Sequence, residues 1–405
     1  MPSVCFYFQV HQPFRLRPFS YFDSSPQLSY FDDQKNGEIA RKVAEKCYIP
    51  TNRLMLELID RHQGDFKISY SITGVAIEQM ERYTPEVLEL FCQLAKTGCV
   101  EFIGETYYHS LAALYDPAEF REQVARHQSI TEALFGQRPT VFRNTELIFS
   151  DDIARLVAPL GFKAIIAEGA DDILGWRSPN FVYDSAVAPI KLLLKNYRLS
   201  DDVAFRFSNR GWAEWPLTAD RYAHWIHQVS GNGDTVNLFM DYETFGEHQW
   251  SCTGIFDFMR SLPSMVKQHS DWKFSTPSEV IGQYPSVAPI SFHRLTSWAD
   301  IERDITAWRG NRMQEQAFDM CYDLGSEVKW QQDGALLDAW RKLQTSDHFY
   351  YMCTKWFADG DVHAYFSPYA SPYDGFVNYM NVFRDFRDQV VARAGGRQVK
   401  RAVAG

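Results

Sequence analysis

Unbroken apolar runs of five to eight residues alternate, along the first 295 positions, with longer segments whose apolar residues recur every three or four. The runs SVCFYFQV (3–10), FKISYSI (66–72), VEFIGE (100–105), TVFRNTE (140–146), FKAIIAEG (162–169), IKLLLKN (190–196) and DTVNLFMD (234–241) read as buried strands. Between them the helical period marks 37–62, GVAIEQMERY, PEVLELFCQLAKTG, 116–136 and 150–161. A break is expected at Pro50, and Ser150 is expected as an N-cap. Strands alternating with helices through connections this long pair in parallel, and about seven of them predict a closed or nearly closed β/α barrel over 1–295. Beyond it the strand runs stop. Three long helical patterns predict a helical domain over 296–395 packed on the barrel, followed by a flexible basic tail, 396–405.

Composition narrows the function. The 405-residue chain carries a net charge of −10, which disfavours nucleic acid and anionic lipid as partners. It has no apolar run long enough for a transmembrane helix, and its N-terminal stretch lacks the basic leader and apolar core of a secretory signal. Its seven cysteines are scattered without a C-x-x-C pair, which fits reduced thiols in a cytoplasmic protein. With 11 Trp, 21 Tyr and 30 Phe the chain has rings to spare for stacking on flat neutral faces such as sugars, Trp212, Trp215, Trp250 and Trp298 being candidates.

In a β/α barrel, reactive groups collect where strands end at the C-terminal face. Four predicted ends are polar: His11 and Gln12; Glu101, Glu105 and His109; Arg143 and Glu146; and the segment MDYETFGEH, 240–248. Any single acid there reads equally as a solvated loop residue or a cap, but four polar ends on one face read as a site. Glu146 abuts an apolar strand and precedes a helix that has its own cap, so it has no capping duty. On the last strand the pleat puts Asn237, Phe239 and Asp241 on one face, so Asp241 is the first acid at the rim. Two carboxylates across a neutral, aromatic-lined cleft suit glycoside hydrolysis. One ionised acid attacks the anomeric carbon, and the other, kept protonated, serves the leaving oxygen. Arg143 is placed to keep Glu146 ionised.

These segments resemble the five sequence regions of glycoside hydrolase family 57. They are HQP after the first strand, GCVEF at 98–102, NTELIF around Glu146, MDYETFGEH at 240–248 and TSDHF at 345–349, in order and spanning nearly the whole chain. The resemblance implies an incomplete (β/α)7 barrel with a C-terminal α-helical domain and retaining attack on α-1,4-glucans such as starch, glycogen or maltodextrins. It implies Glu146 as nucleophile and Asp241 as acid/base, needing no cofactor. A retaining pair of carboxyls stands about 5–5.5 Å apart. His11, Gln12, Glu101, His109, Arg143, Glu243, His248, Trp298 and Asp347 are then the expected substrate contacts. Glu247 stands between Gly246 and His248 where many members have Gly-His directly, and the run before Glu146 lacks the usual Trp or Pro. Both features are similar to the α-amylase branch, and the compact length lacks the insertions of branching enzymes. A 4-α-glucanotransferase on the same site is the nearest alternative, since both reactions share one intermediate.

Two other classes remain. One is a non-catalytic glucan-binding homologue, against which both acids are retained. The other is a metal-dependent deacetylase on a partial barrel. That chemistry needs a histidine cluster, and His224 and His227 are three residues apart on a predicted helix surface. No metal site is expected. A calcium loop starting at Asp32 fails because its twelfth position is Val43.

Overall fold

The computed structural model describes residues 1–355, 363 and 367–403, the side chains of 395–403 excepted. Among the described residues ten strands form: β1 Ser3–Val10, β2 Ile68–Ile72, β3 Val100–Phe102, β4 Val141–Arg143, β5 Ala164–Glu168, β6 Val182–Ser185, β7 Lys191–Lys195, β8 Thr235–Asp241, β9 Lys273–Phe274 and β10 Pro289–Ile290. Parallel pairing runs β3-β2-β1-β8 in one sheet and β7-β5-β4 in the other. Two seams join these paths into a ring of seven strands. At the first, Gly104 just past β3 bridges Phe142 of β4, with Gly104 N–H on the Val141 carbonyl at 2.9 Å and Arg143 N–H on the Gly104 carbonyl at 2.8 Å. A Cβ on Gly104 would lie 2.7 Å from the Phe162 ring, so only glycine lets the strands approach there. At the second, the Asn237 side chain of β8 donates to the Leu194 carbonyl at 2.8 Å, and the Asn237 backbone carbonyl accepts from Asn196 N–H at 2.9 Å. The architecture expected from the sequence is present: parallel strands alternating with helices, then a mostly helical C-terminal region.

The strand pleat sorts the side chains. Val4, Phe6, Phe8 and Val10 of β1 pack outward into the large apolar layer under the helices. Cys5 and Tyr7 point inward and meet Ile103, Val141, Ala164, Ile166, Leu193 and Phe239 in the barrel interior. The helix Pro277–Gln283 and the residue after it add Val280, Ile281 and Tyr284 to that interior, and the Tyr284 hydroxyl bonds Ser3 Oγ at 2.8 Å. This plugs the N-terminal end of the barrel and leaves the C-terminal end for chemistry. Strands β6, β9 and β10 are too short to leave an apolar run. β6 pairs antiparallel with β7 on the edge opposite β5.

Contacts divide the chain into two compact units: Met1–Gln12, Gly37–Tyr107 and Arg121–Trp298 in the first, Pro13–Asn36, Tyr108–Phe120 and Ala299–Gly405 in the second. The division is not one cut near 295. Two segments that follow β1 and β3 join the helical unit through polar contacts of their own. Tyr30 donates to Asp385 at 2.8 Å, and the buried Glu119 carboxylate takes Arg341 at 2.7 Å and Lys329 at 2.9 Å. Buried Phe318, Cys321, Trp340, Phe349, Val382 and Phe386 make this unit's core. Its last helix, Pro372–Val403, runs through most of the expected tail, whose side chains lie outside the described residues. Among the described residues no helix is long and apolar enough to cross a membrane.

The helix pattern at 37–62 resolves into Asp33–Val43, a π-turn at Ala44–Tyr48 and Ile49–Arg61. The interruption expected at Pro50 thus takes the form of a π-turn just before it, where a proline's missing donor is tolerated. Ser150 stands at the N-cap but makes no side-chain capping bond; the neighbouring Asp151 instead accepts Phe292 N–H at 2.8 Å.

Candidate active site

At the C-terminal end of the barrel the first unit gathers a charged interior. Gln9 of β1 donates to Glu105 at 3.2 Å and accepts from Tyr7 at 2.7 Å and Ser71 at 3.0 Å. The Glu105 backbone N–H bonds His127 Nδ1 at 3.3 Å, while His127 Nε2 meets the Ile72 carbonyl at 2.9 Å. Those partners assign the proton to Nε2, and burial keeps the imidazole neutral by lowering its pKa. Arg143, fully buried, has its guanidinium 3.8 Å from Glu105 and 4.9 Å from the Trp298 ring centre. A second cation, Lys195 Nζ, lies 5.5 Å from the same ring centre and pairs with Asp201 at 3.0 Å and Glu168 at 3.6 Å.

Glu146 and Asp241 are partly exposed, unlike this buried layer, in which Glu105 and Glu168 have no accessible surface. Glu146 follows β4 on a left-handed turn (φ 58°, ψ 26°). Such a conformation is costly for a residue with a Cβ and recurs at functional sites. The turn is held at both the side chain and the backbone. Trp298 Nε1 donates to Glu146 Oε2 at 2.8 Å, and Trp298 backbone N–H reaches the Glu146 carbonyl at 3.3 Å. Asp241 ends β8 opposite Gln9 in register, and Phe239 two residues earlier stacks edge-on against Tyr7 at 5.6 Å. Asp241, Arg143 and Glu105 all act electrostatically on the Tyr7 hydroxyl, which burial raises far above its usual pKa.

Of the expected contacts, His11 Nδ1 meets Thr73 Oγ1 at 2.9 Å and Gln12 Nε2 donates to Glu243 at 3.2 Å; both side chains are partly exposed. Glu243 is buried, and its Oε1 also accepts the Tyr48 hydroxyl. Burial first, then the Asp241 charge, lifts its pKa to about 8. His248 is partly exposed and its pKa is lowered by burial to about 4, so its ring is neutral.

Three of the expected contacts stand differently from a simple lining residue. Arg143 is wholly buried, with its guanidinium against Trp298 and Glu105. Glu101 lies four residues before Glu105 on the same strand path, and its carboxylate accepts Ser278 N–H at 2.9 Å, from the helix that plugs the opposite end of the barrel. Trp298 reaches Glu146 through its N–H, a duty that aromatic stacking alone does not describe. His109 and Asp347 belong to the second unit. There Ser346 N–H bonds the His109 carbonyl at 2.9 Å, and a His109 ring nitrogen lies within 4.8 Å of an Asp347 carboxylate oxygen. Lys195, Glu168, Gln9 and Tyr48 are neighbours of the site that the sequence patterns do not bring forward. Gln9 and Lys195 sit at inward positions of apolar runs, a polar-in-apolar signal that is there to be read. Tyr48 is reached only through the π-turn. His224 and His227 bond Gln228 and the Val266 carbonyl from one helix, as the sequence leads one to expect of surface residues.

Residues 5–293 match the sequence profile of glycosyl hydrolase family 57. A protein of Methanocaldococcus jannaschii named "Putative alpha-amylase" is 45% identical over 395 residues, which cover 95% of this chain and 84% of that one. An alpha-amylase structure from Thermotoga maritima superposes with a TM-score of 0.65 at 13% identity, covering 96% of this chain and 93% of that one. A 4-alpha-glucanotransferase structure from Thermococcus litoralis gives a TM-score of 0.58 at 13% identity, covering 88% of this chain but 52% of that one. The two structures share the fold; the profile and the 45% relative carry the kinship. Since the profile spans well over half of the chain and the relative nearly all of it, the chain belongs to glycosyl hydrolase family 57 and is a glycoside hydrolase.

Proposed function

We propose that the protein is an α-amylase that hydrolyses α-1,4-glucans with retention, using Glu146 as nucleophile and Asp241 as acid/base. The observation that carries this reading is the contrast in access. The two acids are partly exposed above a charged layer whose carboxylates are sealed from substrate. Trp298 orients the Glu146 carboxylate, which attacks the anomeric carbon. Asp241 protonates the departing glycosidic oxygen, and its carboxylate then takes a proton from the water that releases the glycosyl-enzyme. The name of the Methanocaldococcus relative supports the substrate class.

The test is Glu146→Gln assayed on maltoheptaose. The variant folds and loses turnover by about four to six orders of magnitude, an estimate drawn from removal of catalytic nucleophiles. Near wild-type activity would remove Glu146 from the role. Asp241→Ala, given a substrate with a good leaving group, is rescued by azide with formation of an α-glycosyl azide. Products longer than maltoheptaose would identify the protein as a 4-α-glucanotransferase instead.

A further inference from the structure

Glu243 is two residues beyond Asp241, on the turn that follows β8, yet it is buried. Its position is built from a second element. The π-turn Ala44–Tyr48 swings Tyr48 so that its hydroxyl reaches Glu243 Oε1, and Gln12, after β1, donates to the same oxygen at 3.2 Å. The loop is held against that turn without slack. Gly246 has φ 109°, and a Cβ there would lie 1.9 Å from the Lys46 carbonyl. Glu247 pairs with Lys42 at 2.5 Å and Lys46 at 3.7 Å. The titratable groups that act on Glu243 are Asp241 at the end of β8 and Tyr48 and Cys47 on the π-turn. Burial and Glu243 raise both the Tyr48 hydroxyl and the Cys47 thiol, so neither supplies a charge at neutral pH.

Resting on the assignment of Asp241 as acid/base, we propose that Glu243 is a positioning residue that titrates as a pair with Asp241, the two carboxyls holding between them one proton for Asp241 to deliver. Two carboxyls that feel each other in a buried setting do not both ionise, so the pair keeps one proton into the neutral range. Burial and the Asp241 charge hold Glu243 proton-loving, to about pH 8. The two donors on one oxygen, Tyr48 and Gln12, pull that value down but leave it raised, so the pair still holds its proton at neutral pH. Asp241 then gives that proton to the leaving oxygen and recovers one from water, and Glu243 ends each cycle as it began.

The experiment is the pH dependence of kcat/KM on a chromogenic maltooligosaccharide. Glu243→Gln keeps the shape and the hydrogen bonds but removes the ionising partner. Its basic limb moves to lower pH by roughly one unit, the scale of such couplings, while KM stays within about twofold. Tyr48→Phe removes a donor that favours the Glu243 carboxylate and so moves the limb the other way, to higher pH, by less, which keeps the test available if Glu243→Gln does not fold. A basic limb unmoved in both variants overturns the inference, as does loss of turnover at every pH to the level of Glu146→Gln. If azide rescue of Asp241→Ala fails, the acid/base assignment itself is at fault. If rescue succeeds and the limb stays put, only the pairing is wrong.

Discussion

The two walls of the barrel mouth differ in what surrounds their acids. On the β4 side Glu146 is held by an indole N–H, and the ring of that indole lies against Arg143 and Lys195. On the β8 side Asp241 has a second carboxyl, Glu243, as its buried neighbour. Cations and donors favour a carboxylate, whereas a like charge favours a carboxylic acid. One barrel thus prepares two chemically similar groups for different work, a pattern that environment alone can produce. The first wall carries two buried cations, each given carboxylate company: Glu105 for Arg143, Glu168 and Asp201 for Lys195.

The comparison breaks most easily at Trp298. Trp298→Phe keeps an aromatic face for Arg143 and Lys195 but deletes the donor to Glu146 Oε2. We expect kcat on maltoheptaose to fall about a hundredfold, the usual effect of losing one preorganised donor, with KM altered less. If kcat holds and KM alone rises, Trp298 is a stacking platform and the β4 wall does not act on Glu146 through its N–H.

The β8 wall depends on one backbone fit. Gly246→Ala places a methyl into the Lys46 carbonyl at a positive φ that disfavours side chains. We expect a loss on the order of 2–3 kcal/mol of stability and lower turnover, since the loop that presents Glu243 to Tyr48 must shift. Thermal melting and kcat measured together decide the matter. A variant that melts lower yet turns over as before would show that the wall's geometry is dispensable for chemistry.

These walls are unevenly legible in the sequence. All seven ring strands can be read because each is an apolar run buried on both faces, and Asp241 is placed on the inward face by the alternation from Asn237. Glu146 can be found as an acid abutting a strand, but its left-handed turn cannot, since nothing in NTELIF is a glycine. Glu101 stands out beside Glu105 because the end of a strand is hard to locate within VEFIGE. The side-chain contacts put the buried charged layer four residues on, at Glu105, where Gln9 and Arg143 meet it, while Glu101 accepts from Ser278. Tyr48 is invisible because its approach to Glu243 depends on an extra residue per turn at 44–48, which ordinary helical periodicity does not anticipate.

The smallest expected effect concerns stability. Glu243 has a pKa of about 8 in the folded protein against an ordinary 4.5. A raised carboxyl pKa means that the folded state binds the proton more tightly than the unfolded chain does. The stabilisation is therefore full below about pH 4.5 and is lost progressively as pH rises from there through 8. His248 acts in the other direction. Its pKa is lowered to about 4 from an ordinary 6.5, so its contribution is present above 6.5 and lost as pH falls through 4. Both the wild type and Glu243→Gln keep His248, so the difference between their melting temperatures isolates Glu243. We expect the wild type to lose ground to Glu243→Gln by a few degrees between about pH 5 and about pH 8, with the gap levelling off at higher pH. A gap that stays constant across that range would mean that Glu243 and Asp241 are both ionised throughout, and the charge contrast between the two walls would then need another source.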